Sequence, residues 1–381
     1  MWKIPLSDIN FDQKEVEAVQ NVIYSGWLTM GEVTKDFEAR FARYIGVEHA
    51  FAVSSCTSAL HLAALALDIG EGDEVVCPSL TFVAAPNSII YTRGKPVFAD
   101  ITSVTNLNIS PEDIEKKITA KTKAIQIMHY AGIPCNMESI TDLARKRGLP
   151  VIEDCAHSPG SEYKGKRCGS IGDIGCFSFF SNKNMTTGEG GMITTNDENI
   201  AKKIRTLRSH GMTTLTLDRH KGHAFSYDVT ALGFNYRLDE IHSALGIVQL
   251  EKLQKSNERR LTLATKYQQA LSEIQGLSVI SGNGISVSSN HILPVLLPEE
   301  IDRAKFMEYM KQNGIQTSIH YPPAHLFDFY RRMYGYKEGM LPLTEEVSKR
   351  EVTLPLYPSM NEDSVSIVCD AVREYFKKEL I

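Results

Sequence analysis

The chain has little of several things. Only seven of its 381 residues are cysteine, and no two form a CxxC pair. An odd, scattered set gives no disulfide framework and no structural zinc site, and it fits a reducing compartment. A strong excess of either charge is missing too. Lys and Arg number 41 against 46 Asp and Glu, for a net charge of −5. That leaves no electrostatic footprint for nucleic acid. Apolar runs such as Ala63–Leu67 fall far short of the roughly 18 residues a membrane helix needs, so no membrane partner is expected. The opening MWKIPLSDINFDQKEVEAV turns polar within a few residues. No signal peptide is therefore expected, and the expected location is cytoplasmic. Internal repeats and low-complexity segments are also missing.

What is present reads as an ordinary globular protein, 43% hydrophobic and 23% charged. Phe11–Tyr24 and Thr34–Tyr44 carry helical spacing, each closed by a glycine, Gly26 and Gly46. From Val47 to about Ile193, strand-like and helix-like segments alternate. The strands are mostly continuous apolar runs, which predicts an α/β fold with a largely parallel sheet covered on both faces. A long helical run from about Leu238 to Ile274 links this region to a second pattern. Beyond Leu277 lie short strands, among them Ile292–Leu297 and Thr317–His320, and helices at Ile301–Asn313 and Glu362–Leu380. The expected division is a large α/β domain over 1–250 and a smaller α+β domain over 251–381. Gly211–Val229 has no periodicity and reads as a loop.

Four features could carry chemistry. Ser54-Ser55-Cys56-Thr57-Ser58 is a hydroxyl-rich turn between a strand and a helix. Free N–H groups and the helix dipole at such a place attract a phosphate; plain N-capping is the alternative. Phe82 stands where a strand passes into a helix, at the ligand-facing edge of an α/β sheet. It can stack on a planar ring or serve the core. Asp154 closes Pro150-Val151-Ile152-Glu153-Asp154. A buried carboxylate there needs a cation or donors, unless it caps the next turn. Lys183 follows the apolar Phe177–Phe180 run and precedes Gly188, Gly190 and Gly191. A lysine just past a buried strand can be held as a neutral nucleophile, or it can be an ordinary solvated side chain.

In this order and spacing, the parts resemble a fold type I enzyme that uses pyridoxal 5′-phosphate. More specifically, the chain resembles the sugar aminotransferase family named after DegT, DnrJ, EryC and StrS. The likeness runs over essentially the whole chain, through SGWLTMGEVTKDFE, SSCTSALHLAALAL, GDEVVCPSLTFVA, VIEDCAHSPG, GDIGCFSFFSNKNMTTGEGGMITTND, GFNYRLDEIHSALG and IHYPPAHL. It implies that Lys183 is the Schiff-base lysine and the acid/base of the reaction. It implies that Asp154 pairs with the protonated pyridine nitrogen and that His157 lies near the phenolic oxygen. Thr57, Ser58 and Ser178 would contact the phosphate, and Phe82 would stack on the ring. Asn235 would reach the phosphate of a neighbouring subunit's cofactor, which makes a homodimer with shared active sites. Thr29, His320, Tyr321 and His325 are candidates for the substrate side.

The implied activity is transamination from an amino acid, glutamate first, to a keto group of a nucleotide-linked sugar. His129-Tyr130-Ala131-Gly132 resembles members acting at C4 of a 4-keto-6-deoxy sugar. A dehydratase relative carries histidine in place of the lysine; here the residue is Lys183. Glu32 and Cys56 depart from the usual pattern without touching the chemistry. Two alternatives stay open: a keto-sugar or keto-cyclitol without a nucleotide, and a non-catalytic ligand-sensing regulator.

Overall fold

A computed structural model describes residues 2–213, 226–282 and 286–379. Most of the loop expected over 211–229 lies outside the described residues. The centre is a seven-stranded sheet of β1 (His49–Val53), β2 (Glu74–Pro78), β3 (Lys95–Ala99), β4 (Thr122–Met128), β5 (Val151–Asp154), β6 (Ile174–Ser178) and β7 (Gly191–Thr195). Their order is β1-β7-β6-β5-β4-β2-β3. β7 runs antiparallel to both neighbours, and every other pairing is parallel. The carboxyl ends of β1, β2, β5 and β6 therefore share one edge, where α/β sheets gather their ligands.

β2, β5, β6 and β7 are buried at every residue. This is why they read as continuous apolar runs: both faces are covered. Cys176 and Phe177, adjacent on β6, enter two different cores, because successive side chains on a strand point to opposite faces. Cys176 packs with Leu60, Ala63 and Ile204. Phe177 joins Phe37, Phe41 and Leu253, with the Phe41 ring centroid 4.9 Å away.

A second antiparallel sheet joins Ser278–Val279, Leu293–Leu296 and Glu351–Leu354. Helices Arg303–Gln312 and Glu362–Glu379 supply Phe306, Met310, Val368 and Tyr375 to its core. The long helix Glu240–Leu271 serves both units, with Leu250 and Leu253 in a core of the large sheet and Leu263–Leu271 in the second. A cut between 250 and 251 thus falls inside one helix. The chain also crosses back. Ile4 is buried in the second core and bridges Ile315, while Ala324, Tyr330 and Leu341 pack with Val75 and Cys77 of β2. Thr317–His320, expected as a strand, makes only an isolated bridge from Ser318 to Thr353. The Gln316 amide donates to the Ile4 carbonyl and the His320 amide to the Glu351 carboxylate, so no ladder forms.

Candidate active site

The turn after β1 is built to leave donors free. Ser55 caps the helix Cys56–Ala66, its hydroxyl accepting the Ser58 amide at 3.1 Å. The Ser58 hydroxyl lies 3.0 Å from both Ser54 Oγ and Ser55 Oγ. Among the described residues the Cys56 and Thr57 amides have no backbone acceptor. They belong to the orphan donors of a helix N-terminus. Gly191 passes directly beneath. A Cβ there would lie 2.6 Å from the Ser55 carbonyl carbon, so only glycine fits. Gly191 pairs with Ser178, which brings the Ser178 hydroxyl to the same edge.

Asp154 ends β5 beside this turn. Its Oδ1 accepts the Ala156 amide at 3.0 Å and faces Cys56 Sγ at 3.9 Å. Burial pushes its carboxyl above the usual carboxylate range, while the Ala156 amide and the Lys183 charge pull the other way. Lys183 sits on the turn after β6. Burial lowers its amine to about 8, against the attraction of Asp154. Lysine and aspartate thus share one enclosure and shift each other.

His157 is buried, with Nε2 3.0 Å from the Tyr321 hydroxyl. Its Nδ1 is buried with no partner among the described residues. Burial and then the Lys183 charge hold its ring well below the usual histidine range. Phe82 is 56% exposed, with its ring centroid 6.0 Å from that of Tyr321. The alternative of a core role for Phe82 is thereby excluded. His320 is oriented by Thr353 Oγ1 at 2.8 Å and by its own amide on Glu351 at 2.7 Å. Its carbonyl accepts the Tyr130 hydroxyl. Burial, then Lys183, lowers its ring to about 4.

Two expected residues stand apart within this chain. Asn235 is exposed, its backbone bridged to Ser209. Thr29 is exposed, and among the described residues no hydrogen bond ties it to Lys183, Asp154 or His157. His325 is a correction. It is fully buried, with Nδ1 2.7 Å from Ser79 Oγ and Nε2 3.0 Å from Glu345 Oε1. Both ring nitrogens are occupied, so it braces the Ala324–Leu326 turn and offers nothing to a substrate.

The sequence reading missed His291 and Asn184. Lys183 Nζ lies 3.3 Å from His291 Nε2, and His291 Nδ1 lies 2.8 Å from Asn184 Oδ1. A histidine just before an apolar strand, in SSNHILPVL, marks a chain position at a strand end but not the partner it meets there.

Three comparisons bear on this geometry. The model of the DegT/DnrJ/EryC1/StrS aminotransferase family matches residues 10–373. The chain belongs to that family. The Bacillus subtilis spore coat polysaccharide biosynthesis protein SpsC is 39% identical over 379 residues, 98% of this chain and 97% of SpsC. Helicobacter pylori PseC, an aminotransferase involved in pseudoaminic acid biosynthesis, superposes with a TM-score of 0.91 at 30% identity, covering 98% of this chain and 99% of PseC. The PLP form of Spr1654 from Streptococcus pneumoniae superposes with a TM-score of 0.92 at 27% identity, covering 99% and 100%. The chain is thus an aminotransferase with the α/β fold of that family.

Proposed function

We propose that this aminotransferase moves the amino group of an amino acid, glutamate first, to the keto carbon of a nucleotide-linked sugar. C4 of a 4-keto-6-deoxy sugar is the favoured position. The observation that carries the reading is the shared enclosure of Lys183 and Asp154, at the strand edge that also presents the Ser54–Ser58 turn.

The cofactor of this family is pyridoxal 5′-phosphate, and the residues present fit it. The unpartnered, buried Nδ1 of His157 awaits a polar atom. The free amides before Ser58, with Thr57, Ser58 and Ser178, suit a phosphate. Asp154 suits a protonated ring nitrogen, which supplies the countercharge its burial lacks. Phe82 offers an open aromatic face. When bound, the cofactor supplies the electron sink of the reaction. Lys183, its amine lowered by burial to about 8, takes and returns protons at that amine close to neutral pH.

The sugar substrate is supported by the likeness to SpsC and PseC, and the C4 preference by His129–Gly132. Tyr321, whose hydroxyl meets His157, its neighbour His320, and Thr29 are the candidates for the substrate side. A homodimer is supported by exposed Asn235 and by Leu232, on the same segment, at 87% exposure. In that arrangement Asn235 serves the partner's phosphate.

The test is a screen of UDP-, dTDP- and GDP-linked 4-keto sugars with glutamate, following cofactor absorbance and 2-oxoglutarate release. One of them should be aminated, a nucleoside diphosphate should compete with it, and Lys183→Ala should be silent. Normal turnover by Lys183→Ala would overturn the reading.

A further inference from the structure

Lys183 is not alone on its side of the enclosure. Its Nζ lies 3.3 Å from Nε2 of His291, whose ring is only 4% exposed. Which nitrogen of that ring carries the proton follows from a chain of amides. The carbonyl oxygens of Pro159 and Ser289 can only accept. Asn257 Nδ2 donates to Pro159 at 2.9 Å, which turns Asn257 Oδ1 outward as an acceptor. Asn184 Nδ2 donates to that oxygen and to the Ser289 carbonyl, each at 2.8 Å. Both Asn184 amide hydrogens are then used, and its Oδ1 faces His291 Nδ1 at 2.8 Å. Nδ1 must be the donor. Nε2 is left as a bare lone pair aimed at the lysine.

We infer that His291, oriented by Asn184 and Asn257, is a positioning residue for Lys183, accepting one N–H of the amine whenever the amine is not covalently engaged. The inference rests on the proposed role of Lys183 as proton carrier. A neutral amine has two hydrogens and one lone pair. With one hydrogen held by Nε2, rotation about the last side-chain bond is checked and the lone pair has a fixed direction. The amine gains a proton there and, as ammonium, keeps its bond to Nε2 while it gives a proton back. His291 itself stays neutral. Burial, then the nearby Lys183 charge, holds its ring well below the usual range. A protonated ring could not accept.

Two variants and one wild-type measurement test this. His291→Leu removes the acceptor, and His291→Gln keeps an amide oxygen at a similar reach. In cofactor-free protein, the pH dependence of Lys183 acylation, read by mass spectrometry, gives the amine's pKa. Loss of an acceptor removes a bond to the ammonium, so the pKa should fall by about one unit in His291→Leu and stay near wild type in His291→Gln. With cofactor and glutamate, kcat should fall on the order of 10²-fold in His291→Leu, as expected for a misplaced reacting group. KM should be nearly unchanged, the isotope effect from α-deuterated glutamate should rise, and His291→Gln should recover most of the rate. Should either variant misfold, ¹⁵N-histidine spectra of the wild type report the tautomer directly, and an Nε2-protonated His291 overturns the inference. An unchanged lysine pKa together with an unchanged isotope effect in His291→Leu overturns it as well. If the wild type itself transfers no amino group, it is the aminotransferase role of Lys183 that falls. The acylation and ¹⁵N results still judge His291.

Discussion

His129 Nε2 lies 2.9 Å from the carboxylate of Glu153, and neither side chain has any exposure. The other ring nitrogen accepts the Cys135 amide at 3.1 Å, so Nε2 carries the proton. Glu153 also accepts the amides of Gly169, Ile171 and Gly172 at 2.9, 2.8 and 2.6 Å. Burial pushes this carboxyl up, but His129 and the amides outweigh it and hold the group below its ordinary value. The network fixes the end of β5, and the next residue is Asp154. Glu153→Leu would leave one ring and three amides unpartnered, so a loss of about 3–5 kcal/mol is expected in urea unfolding. Because the folded-state pKa is depressed, the contribution is present above 4.5 and fades as pH falls through the folded value. A variant with the wild-type midpoint would show that the network is energetically idle.

Asp154→Asn should move stability and activity in opposite directions. Without a cofactor, Asp154 is a buried carboxyl whose burial disfavours its charge. Asparagine keeps the acceptor for the Ala156 amide and carries no charge. The cofactor-free protein should gain about 1 kcal/mol, while turnover drops on the order of 10²-fold or more for want of a countercharge. Thermal unfolding and steady-state rates check the two signs. Turnover equal to wild type would remove Asp154 from the chemistry.

Lys183 gives a pH dependence. Its amine is lowered to about 8 by burial. Uptake of pyridoxal phosphate by cofactor-free protein needs the neutral amine, so the rate should rise about tenfold per pH unit below 8 and level above it. For stability the lowered pKa of this base has the same sense as that of a depressed carboxylate, although here it reflects a burial penalty that is relieved as the amine becomes neutral. Between about 8 and the ordinary 10.5 the unfolded chain binds more protons, so stability should rise with pH over that window. A rate that climbs steadily to pH 10.5 would mean an unperturbed lysine.

Much of this was legible beforehand for a physical reason. Strands buried on both faces leave continuous apolar runs, and the turn, Asp154 and Lys183 each stand at the end of one. Local spacing carried that information. What it could not carry was pairing across the chain. His291 and Asn184 are 107 residues apart, and nothing local in SSNHILPVL marks the histidine as a partner of Lys183. Ile4 enters the second core through a single buried side chain, too little to register as a pattern. The helix Asp328–Tyr334 and the hairpin Ile101–Ser103 with Asn106–Ile109 were missed because elements this short show no periodicity. His325 misled for the opposite reason. It sits in a motif with His320 and Tyr321, and only burial separates a brace from a ligand-facing ring.

That distinction is testable. His325→Ala would strand Ser79 and Glu345, so a loss of about 2–4 kcal/mol is expected, with the KM for the sugar unchanged. The same substitution at Tyr321, whose hydroxyl meets His157, should instead alter turnover at little cost in stability. Urea unfolding and kinetics on the two variants separate these roles. A raised KM without destabilisation in His325→Ala would return that residue to the substrate side.

The proposed sharing of active sites between two subunits has its own test, which does not depend on the sugar. If Asn235 serves the partner's cofactor phosphate, Asn235→Asp places a carboxylate against that phosphate and should silence the site it faces. Lys183→Ala silences the site in its own subunit. Each variant alone is then inactive. After the two are mixed and allowed to exchange subunits, a two-fold dimer of one each has one site with both defects and one with neither. With random reassortment half the dimers are of this kind, so roughly a quarter of wild-type activity should return. If Asn235 instead served the cofactor of its own subunit, every site in the mixture would keep one defect and nothing would return. Recovery of activity therefore requires both that the chain pairs and that Asn235 acts across the interface.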